Sequence, residues 1–150
     1  MKKIASSDYS IWIGKDILTK LDTSSYTKVV ILVDENSKKY CLNKLPIIEN
    51  SAVIEINSGE EKKNLRTCTF IWEELIKHQA DKDSLLISLG GGVIGDMGGF
   101  CASTYKRGID FIQIPTTLLA MVDASIGGKL GVNFNSLKNQ IGVFNNPKSV

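Results

Sequence analysis

The stretch SLLISLGGGVIGD, from Ser84 to Asp96, decides the fold that this sequence predicts. Four of its first six residues are aliphatic, which is typical of a strand buried on both faces of a sheet. The glycines that follow satisfy the pattern G-x-G-x-x-G, and a helix is expected from about Ile94 to Tyr105. Two glycines within that helix, Gly98 and Gly99, would let it pack very close to a neighbouring element.

The same alternation of strand and helix runs through the chain as far as about residue 124. Besides 84–89, strands are predicted at 9–13, 28–33, 52–56 and 111–114. Further helices are predicted at 16–21, at 37–42, after Ser58 as far as about Gln79, and at 116–122. This order predicts an α/β, Rossmann-like domain with a mostly parallel sheet and helices on both faces. Residues 127–139 break the pattern with three glycines, and we expect a loop or hairpin there.

The predicted helix ends carry ordinary capping signals. Asn36 can cap the helix at 37–42, and Ser58 followed by Glu61 fits a capping box. Pro115 suits the first turn of the helix at 116–122. We interpret His78 as structural, because it lies at a predicted helix C-terminus, where the negative end of the helix dipole favours it.

Composition narrows the classes of function. The chain has 150 residues, of which 43% are hydrophobic and 23% charged, as is typical of one globular domain. A net charge of +2 without a basic run argues against nucleic acid or an anionic membrane as a partner. No apolar run reaches membrane-spanning length and no signal-peptide pattern follows the N-terminus, so we expect a cytoplasmic protein.

Metal and disulfide chemistry have little support within this sequence. The three cysteines, Cys41, Cys68 and Cys101, are dispersed and have apolar settings. There is a single histidine. Because a catalytic zinc ion usually takes three protein ligands, a self-contained zinc site is not expected.

Polar or glycine-rich segments follow several of the predicted strands. They are Asp34–Asn36, Ser58–Lys63, Gly90–Asp96 and Thr116–Thr117. In open α/β sheets, ligands bind beyond the carboxyl ends of the strands, where these segments should converge. Glycines let a backbone approach a pyrophosphate, and the free N–H groups of a helix N-terminus meet its negative charge. The sequence therefore favours a nucleotide-phosphate site at this edge.

Each of these segments also has a simpler structural interpretation. The glycines can form a tight strand–helix turn and nothing more, and Asp34 can be an ordinary helix cap. Ser58–Glu61 and Thr116–Thr117 can simply begin their helices. A second polar set could bind a phosphate or carboxylate or could be solvated surface charge: Arg107, Asp123, Lys129, Lys138 and Asn139.

A long ordered series of motifs resembles the 3-dehydroquinate synthase family. It runs from about Ser88 to Pro147 and comprises GGGVIGD (90–96), YKRG (105–108), IPTTLLAMVD (114–123), IGGK (126–129), GVN (131–133) and KNQIG (138–142). Earlier in the chain, VDEN (33–36) and SGEEKK (58–63) agree in type and order. The resemblance implies that residues 1–150 form the NAD-binding domain of such an enzyme.

The resemblance also implies a reaction. Members of the family convert a sugar phosphate, 3-deoxy-D-arabino-heptulosonate 7-phosphate, to 3-dehydroquinate and phosphate in the shikimate pathway. Bound NAD oxidises a ring hydroxyl transiently and returns the hydride after phosphate is eliminated. A divalent metal, zinc or cobalt, polarises the oxidised oxygen. A homodimer is implied as well.

Site residues follow from the resemblance position by position. The implied cofactor site comprises Asp34, Asn36, Ser58, Gly59, Glu60, Lys63, Gly91, Gly92, Val93, Ile94, Gly95, Asp96, Thr116, Thr117, Leu119, Lys129 and Lys138. The residues implied on the substrate side are Arg107, Asp123, Lys129 and Asn139. Among them, Arg107 resembles an arginine that reaches the substrate phosphate across a dimer interface.

The sequence departs from the family at several points. Ala124 stands where the family often has serine, and Ser136-Leu137 replaces the usual Leu-Gly. The family's helical C-terminal domain, which supplies the metal ligands, has no counterpart in these 150 residues. We therefore expect this chain alone to bind NAD weakly and to be inactive. Two alternatives stay open, namely a related sugar-phosphate cyclase and a non-catalytic NAD-binding fragment.

Overall fold

The strands and helices were located in a computed structural model, which describes residues 1–5 and 8–150. The strands are β1 (Lys2–Ala5), β2 (Ser10–Ile13), β3 (Val29–Asp34), β4 (Ser51–Ile56), β5 (Leu85–Gly90), β6 (Asp110–Pro115), β7 (Lys129–Phe134) and β8 (Leu137–Phe144). The α-helices are α1 (Glu35–Tyr40), α2 (Leu65–Lys77) and α3 (Gly92–Thr104). Single 3-10 turns cover Ile17–Lys20, Leu42–Lys44, Glu60–Lys62 and Tyr105–Arg107, and a π-helical turn covers Ala120–Ala124.

A parallel sheet in the order β4-β3-β5-β6 forms the centre of the fold. Its two middle strands are almost wholly buried, and every residue of β5 is buried. Strands that are covered on both faces need apolar side chains on both sides, which is why their sequences are rich in aliphatic residues. The α/β fold with a parallel sheet, predicted from the alternation of strand and helix, is confirmed.

Alternate residues of each strand point to opposite faces of the sheet, so the sheet separates two cores. On one face, Leu32 and Phe111 belong to a core that includes residues of α2 and α3. On the other face, Ile31 and Ile87 pack against the segment that follows α1, including Leu42. Helical structure therefore covers both faces, as expected, but the second face has only a short helix and a 3-10 turn.

Helix α3 packs unusually close to its neighbours because of its internal glycines. A Cβ atom at Gly98 would overlap the hydroxyl of Ser88 on β5. A Cβ atom at Gly99 would stand 2.5 Å from Leu130 of β7. The close packing expected at these two positions is confirmed, and α3 begins at Gly92, two residues earlier than predicted.

The cap of α1 differs from the expectation. The helix begins at Glu35, and the carboxylate of Asp34 accepts a hydrogen bond from the Ser37 N–H at 2.7 Å. The Ser37 hydroxyl accepts the Asp34 N–H at 2.9 Å, which completes a capping box. The prediction that Asn36 caps a helix at 37–42 is wrong, because Asp34 at the strand end already supplies the acceptor.

The start of α2 was also predicted wrongly. No capping box forms at Ser58 and Glu61. Instead, Ser58 donates its backbone N–H and its hydroxyl to the carboxylate of Glu35. The helix begins seven residues later, at Leu65, where the side chain of Asn64 accepts a backbone N–H of the first turn at 3.0 Å. Both Ser and Asn are good cap residues. The chain forms a 3-10 turn at Glu60–Lys62 before α2 begins, so Asn64 and not Ser58 is the cap of α2.

Pro115 does not begin a helix, contrary to the expectation. It is the last residue of β6 and pairs in register with Gly90. The next residue continues the contact, since the Thr116 N–H donates to the Gly90 carbonyl at 2.9 Å. Helical structure starts only at Leu118 and becomes π-helical over Ala120–Ala124.

The glycine-rich segment after residue 126 forms a hairpin, as expected, and extends to Phe144. Strands β7 and β8 pair antiparallel, with Phe134 opposite Leu137. The two turn residues, Asn135 and Ser136, have φ values of 48° and 63°. Such left-handed pairs are typical of two-residue hairpin turns. The departure Ser136-Leu137 therefore falls at the tip of this hairpin.

Helices α2 and α3 have 13 residues each. Among the described residues, no helix is long and apolar enough to cross a membrane. His78 directly follows α2, as predicted, and its Nε2 lies 3.6 Å from Glu74 Oε2.

Candidate functional site

The carboxyl ends of the parallel strands bring the predicted site segments to one edge of the sheet. The glycine turn follows β5, and the segment beginning at Thr116 follows the neighbouring strand β6. The Gly90 carbonyl accepts the Thr116 N–H at 2.9 Å, which joins these two segments. On the other side, Ser58 after β4 donates to Glu35 after β3. The expected convergence of the four segments is confirmed.

The glycine turn presents a bare helix N-terminus at this edge. The first hydrogen bond within α3 runs from the Gly95 N–H to the Gly91 carbonyl at 3.0 Å. The N–H groups of Gly92, Val93 and Ile94 therefore have no acceptor within the helix, and the helix dipole makes this end positive. The turn can accept an anion.

The space in front of this turn is narrow, and the glycines keep it open. A Cβ atom at Gly91 would stand 3.3 Å from Thr117 Cγ2. A Cβ atom at Gly92 would stand 3.3 Å from the Cβ of Ala124. Side chains at either position would fill the gap between the turn and the 116–124 segment, so the backbone is accessible only because these residues are glycines.

A buried lysine lies beside the turn. Lys63 is only 4% exposed, and its Nζ lies 2.5 Å from Asp96 Oδ2 in the first half of α3. The same ammonium donates to Asn139 Oδ1 of β8 at 2.6 Å. A lysine this deeply buried needs such partners, because an unpaired charge out of water is very costly.

The surroundings of Asp96 shift the pKa of its carboxyl group in opposite directions. The pKa of Asp96 is raised from its usual value, chiefly by burial, although the nearby Lys63 ammonium lowers it. The carboxylates of Glu60 and Asp123 raise it further. Glu60, Lys63, Asp96 and Asp123, which come from three separate segments of the chain, are thus close enough to interact electrostatically.

Asn133 completes this cluster and was not among the residues predicted for the site. Its side-chain Nδ2 donates to Glu60 Oε1 at 2.9 Å, and its Oδ1 accepts the Asn139 N–H at 2.9 Å. Its backbone N–H donates to the Lys63 carbonyl at 2.9 Å. The only sequence signal was its place at the end of the motif GVN, which carries no role by itself.

The segment after β3 is held by its own hydrogen bonds. Asp34 caps α1, as its simpler structural interpretation predicted, and its contact with a cofactor stays a prediction. Glu35, which the sequence did not single out, accepts both hydrogen bonds from Ser58, and these hold the pKa of Glu35 below its usual value. Asn36 is exposed, with its Nδ2 3.5 Å from Glu35 Oε1. The β3 and β4 ends are therefore linked through Glu35.

The segment from Thr116 to Ala124 forms the opposite wall of the gap and is loosely packed. Thr117 Oγ1 accepts the Ala120 N–H at 3.2 Å. The large apolar side chains of this segment are exposed, namely Leu118, Leu119, Met121 and Val122. Leu119, a predicted cofactor contact, is 67% exposed.

Three further predicted residues lie on the surface. Lys129 begins β7, Lys138 lies on β8, and both are exposed, as is Asp123. Asp123 is near enough to Asp96 to act on its pKa. No hydrogen bond from the side chain of Lys129 or Lys138 is found among the described residues, so both ammonium groups remain available.

Arg107 is not brought to this edge. It lies in the turn after the C-terminus of α3, whereas the glycine turn lies before its N-terminus, and 13 helical residues span about 20 Å. A cavity of about 480 Å³ lies at that opposite edge, lined by Asp110 and Lys148 among others, and no predicted site residue lines it. Arg107 therefore does not serve the same site within one chain.

The described part of the chain contains no group of three or more His, Cys, Asp or Glu residues that could hold a metal ion. Cys68 and Cys101 are buried in the core, and His78 lies near Glu74. These residues do not fit a divalent metal centre.

Comparison with known proteins identifies the family. Residues 53–150 match the family model described as the N-terminal part of 3-dehydroquinate synthase. The chain belongs to the 3-dehydroquinate synthase family. This confirms the resemblance seen in its motifs, and most of the candidate site lies within the matched residues.

Curated relatives carry the same family name. A 3-dehydroquinate synthase from a Nitratiruptor species is 47% identical over 152 residues, which cover 100% of this chain and 43% of that protein. One from a Sulfurovum species is 53% identical over 130 residues, which cover 83% of this chain and 36% of that protein. This member of the 3-dehydroquinate synthase family thus spans less than half the length of these relatives.

A solved structure shares the fold. The crystal structure of a 2-deoxy-scyllo-inosose synthase, complexed with carbaglucose-6-phosphate, NAD⁺ and Co²⁺, matches with a TM-score of 0.85 and 26% sequence identity. The match covers 99% of this chain and 44% of that one. Identity to the dehydroquinate synthases is clearly higher than to this sugar-phosphate cyclase.

Proposed function

We propose that this chain forms the NAD site of a 3-dehydroquinate synthase. The reaction is the conversion of 3-deoxy-D-arabino-heptulosonate 7-phosphate to 3-dehydroquinate and phosphate, a lyase step of the shikimate pathway toward chorismate and the aromatic amino acids. One observation carries the proposal: in a chain of this family, the bare N-terminus of α3 lies beside the buried Lys63–Asp96 pair at the carboxyl edge of the sheet.

The glycine turn fits the pyrophosphate of NAD. Its free N–H groups and the positive end of α3 favour two phosphate charges, and Gly91 and Gly92 leave the backbone bare. The Glu35–Ser58 link holds the ends of β3 and β4 in place for the adenosine side, next to Asp34 and Asn36. When bound, NAD supplies the hydride acceptor and donor for the reaction.

Lys63 acts through its charge and its fixed position. Its ammonium donates to Asp96 and Asn139, so it cannot rotate away from the site. A fixed cation near the cofactor stabilises negative charge without reorganising as the reaction proceeds. Asp96 accepts a hydrogen bond from this ammonium and is itself held by the first half of α3.

The substrate side is proposed to include exposed groups of the hairpin and of the π-helical turn. Lys129 and Lys138 can attract a doubly charged phosphate ester from solution. Asp123 is near enough to Asp96 to act on its pKa, and Asn139 accepts a hydrogen bond from Lys63. These residues would orient the sugar phosphate against the cofactor.

Two parts of the proposed enzyme are not supplied by one copy of these residues. The divalent metal of the family, zinc or cobalt, finds no fitting ligand set among the described residues, so no step is assigned to it here. Arg107 lies at the far edge, and we propose that it serves the site of a second subunit in a homodimer. The expected compartment is the cytoplasm.

A chimera tests the proposed function. This chain should replace the matching 152-residue region of the Nitratiruptor enzyme, to which it is 47% identical. We expect the chimera to release phosphate from the heptulosonate phosphate with added NAD and zinc, and the Asp123→Ala chimera to lose that activity. This chain alone should bind NAD and release no phosphate. A folded, NAD-bound chimera without phosphate release would contradict the proposal, and turnover by this chain alone would contradict the assignment of the metal to other residues.

The same chimera separates the alternatives. Identity of 41% or more to curated dehydroquinate synthases, against 26% to the 2-deoxy-scyllo-inosose synthase, favours the heptulosonate phosphate as substrate. A related cyclase would act on a different sugar phosphate, and a non-catalytic module would bind NAD and support no turnover in any chimera.

A further inference from the structure

The β7–β8 hairpin contains an irregularity at the site cluster. The register shifts between Val132 and Phe134, so the single residue Asn133 of β7 stands opposite residues 138–140 of β8 and has no partner in the hairpin ladder. The bulge therefore lies in β8. The backbone of Asn133 pairs instead with the loop before α2, in a parallel bridge to Asn64. A bulge re-aims side chains of its own strand away from the regular sheet direction, and here the bulge contains Asn139.

The Asn133 side chain contacts two other segments. Its Nδ2 donates to Glu60 Oε1 at 2.9 Å and lies 3.3 Å from the Glu60 carbonyl. Its Oδ1 accepts the Asn139 N–H at 2.9 Å. Asn139 needs such support, because its φ of 52° is in the left-handed region.

These contacts close a ring of hydrogen bonds. Asn133 holds Glu60 and Asn139, its N–H donates to the Lys63 carbonyl, and the Lys63 ammonium donates back to Asn139 Oδ1 at 2.6 Å. The amide of asparagine suits this place because it offers a donor to a carboxylate and an acceptor to an N–H at once. A carboxylate could only accept a hydrogen bond, and an aliphatic side chain could neither donate nor accept one.

We propose that Asn133 is a positioning residue, which fixes Glu60, Lys63 and Asn139 relative to one another so that they contact NAD. The proposal rests on the proposed NAD site. It assigns a purpose to the bulge of β8 opposite Asn133: the Asn133 side chain docks the hairpin onto the loop before α2, and the three contact groups become parts of one rigid unit.

Substitutions at Asn133 and at its partner Glu60 test this role. Asn133→Asp keeps the acceptor for Asn139 but places a carboxylate against that of Glu60, and we expect about a tenfold loss of NAD affinity by calorimetric titration. Adding Glu60→Gln restores a donor–acceptor pair with its direction reversed. The loss of NAD affinity in the double variant should therefore be smaller than the product of the losses in the two single variants.

Asn145→Asp is the matched control. Asn145 follows β8 and its Nδ2 donates to Ser103 Oγ at 2.9 Å, so the same chemical change also breaks a hydrogen bond that anchors the hairpin. We expect a lower melting temperature in this control and unchanged NAD affinity. A purely structural role for Asn133 would make both variants behave alike.

The outcomes are distinguishable. If the unsubstituted chain binds no NAD, the proposed NAD site itself is overturned, and the role of Asn133 is overturned with it. If the unsubstituted chain binds NAD and Asn133→Asp binds it equally well, or if the losses of the single variants simply multiply, the positioning role is overturned. Should Asn133→Asp not fold, Asn133→Ala, which adds no charge, is measured in its place with the same expected loss.

Discussion

The two walls of the candidate site differ sharply in how they are built. One wall, the lysine side, consists of Glu60, Lys63, Asp96, Asn133 and Asn139, which are joined by ion pairs and hydrogen bonds around a buried ammonium. The other wall, the threonine side, is the segment Thr116–Ala124, whose large apolar side chains are exposed. The glycine turn lies between them.

The difference indicates that the chain fixes one half of the site in advance. The lysine side gains its rigidity from contacts among four segments of the chain. The threonine side has few contacts that would hold its conformation, so its order depends on what binds against it. Pre-organised charge on one wall and an adaptable apolar wall on the other suit a cofactor with a charged centre and flat rings.

The largest expected effect concerns the buried charge. Lys63→Met leaves Asp96 without its cation, and breaking a buried pair in this way costs about 3 kcal/mol of unfolding free energy at neutral pH. The double variant Lys63→Met/Asp96→Leu should recover much of that loss. Urea unfolding measures both.

The matched control is Lys38→Met, which breaks an equally short but half-exposed pair with Glu55. Its expected cost is below about 1 kcal/mol, since exposed pairs contribute little. Equal losses for Lys63→Met and Lys38→Met would show that the lysine side is not the buried, pre-organised wall inferred here.

The next effect concerns the turn between the two walls. Gly92→Val places a side chain in the gap next to Ala124, and we expect NAD affinity to fall at least tenfold, or about 1.4 kcal/mol. Gly99→Ala, on the buried side of the same helix against Leu130, should lower the melting temperature and leave NAD affinity unchanged. The reverse result would remove the glycine turn from the site.

A smaller effect is expected in the pH dependence of stability. Because the pKa of Asp96 is raised above 3.8, the folded chain retains this proton at pH values where the unfolded chain has lost it. The contribution of Asp96 to the unfolding free energy therefore falls as the pH rises from 3.8 through the raised pKa. Asp96→Asn should remove this fall, measured as the difference between parent and variant in urea unfolding at several pH values. A difference that grows in favour of the parent with rising pH would show that the Lys63 ammonium outweighs burial.

The smallest effect is expected on the threonine side. Leu118 is 75% exposed, so Leu118→Ser should change the unfolding free energy by less than about 0.5 kcal/mol. Leu130→Ala, at a leucine only 4% exposed, should cost about 2 kcal/mol or more. A substantial loss for Leu118→Ser would mean that the threonine side is held by the fold after all.

The contrast between the walls also explains what the sequence could and could not predict. Strand β5, the glycine turn and α3 follow from local signals, so their order and their place at the sheet edge were predicted correctly. The burial of Lys63 was not predictable, since it depends on Asn139, which lies 76 residues further along the chain. Asn133 was overlooked for the same reason. The caps at Asn36 and Ser58 were misplaced because several good cap residues stand within a few positions of each other.

The most direct test of the central claim is a titration of this chain with NAD followed by amide ¹H–¹⁵N NMR. We expect saturable shifts that are largest at the N–H groups of Gly92, Val93 and Ile94, because the pyrophosphate of NAD would accept hydrogen bonds from the start of α3. Saturable binding with shifts confined to other parts of the chain, or no binding at all, would contradict it.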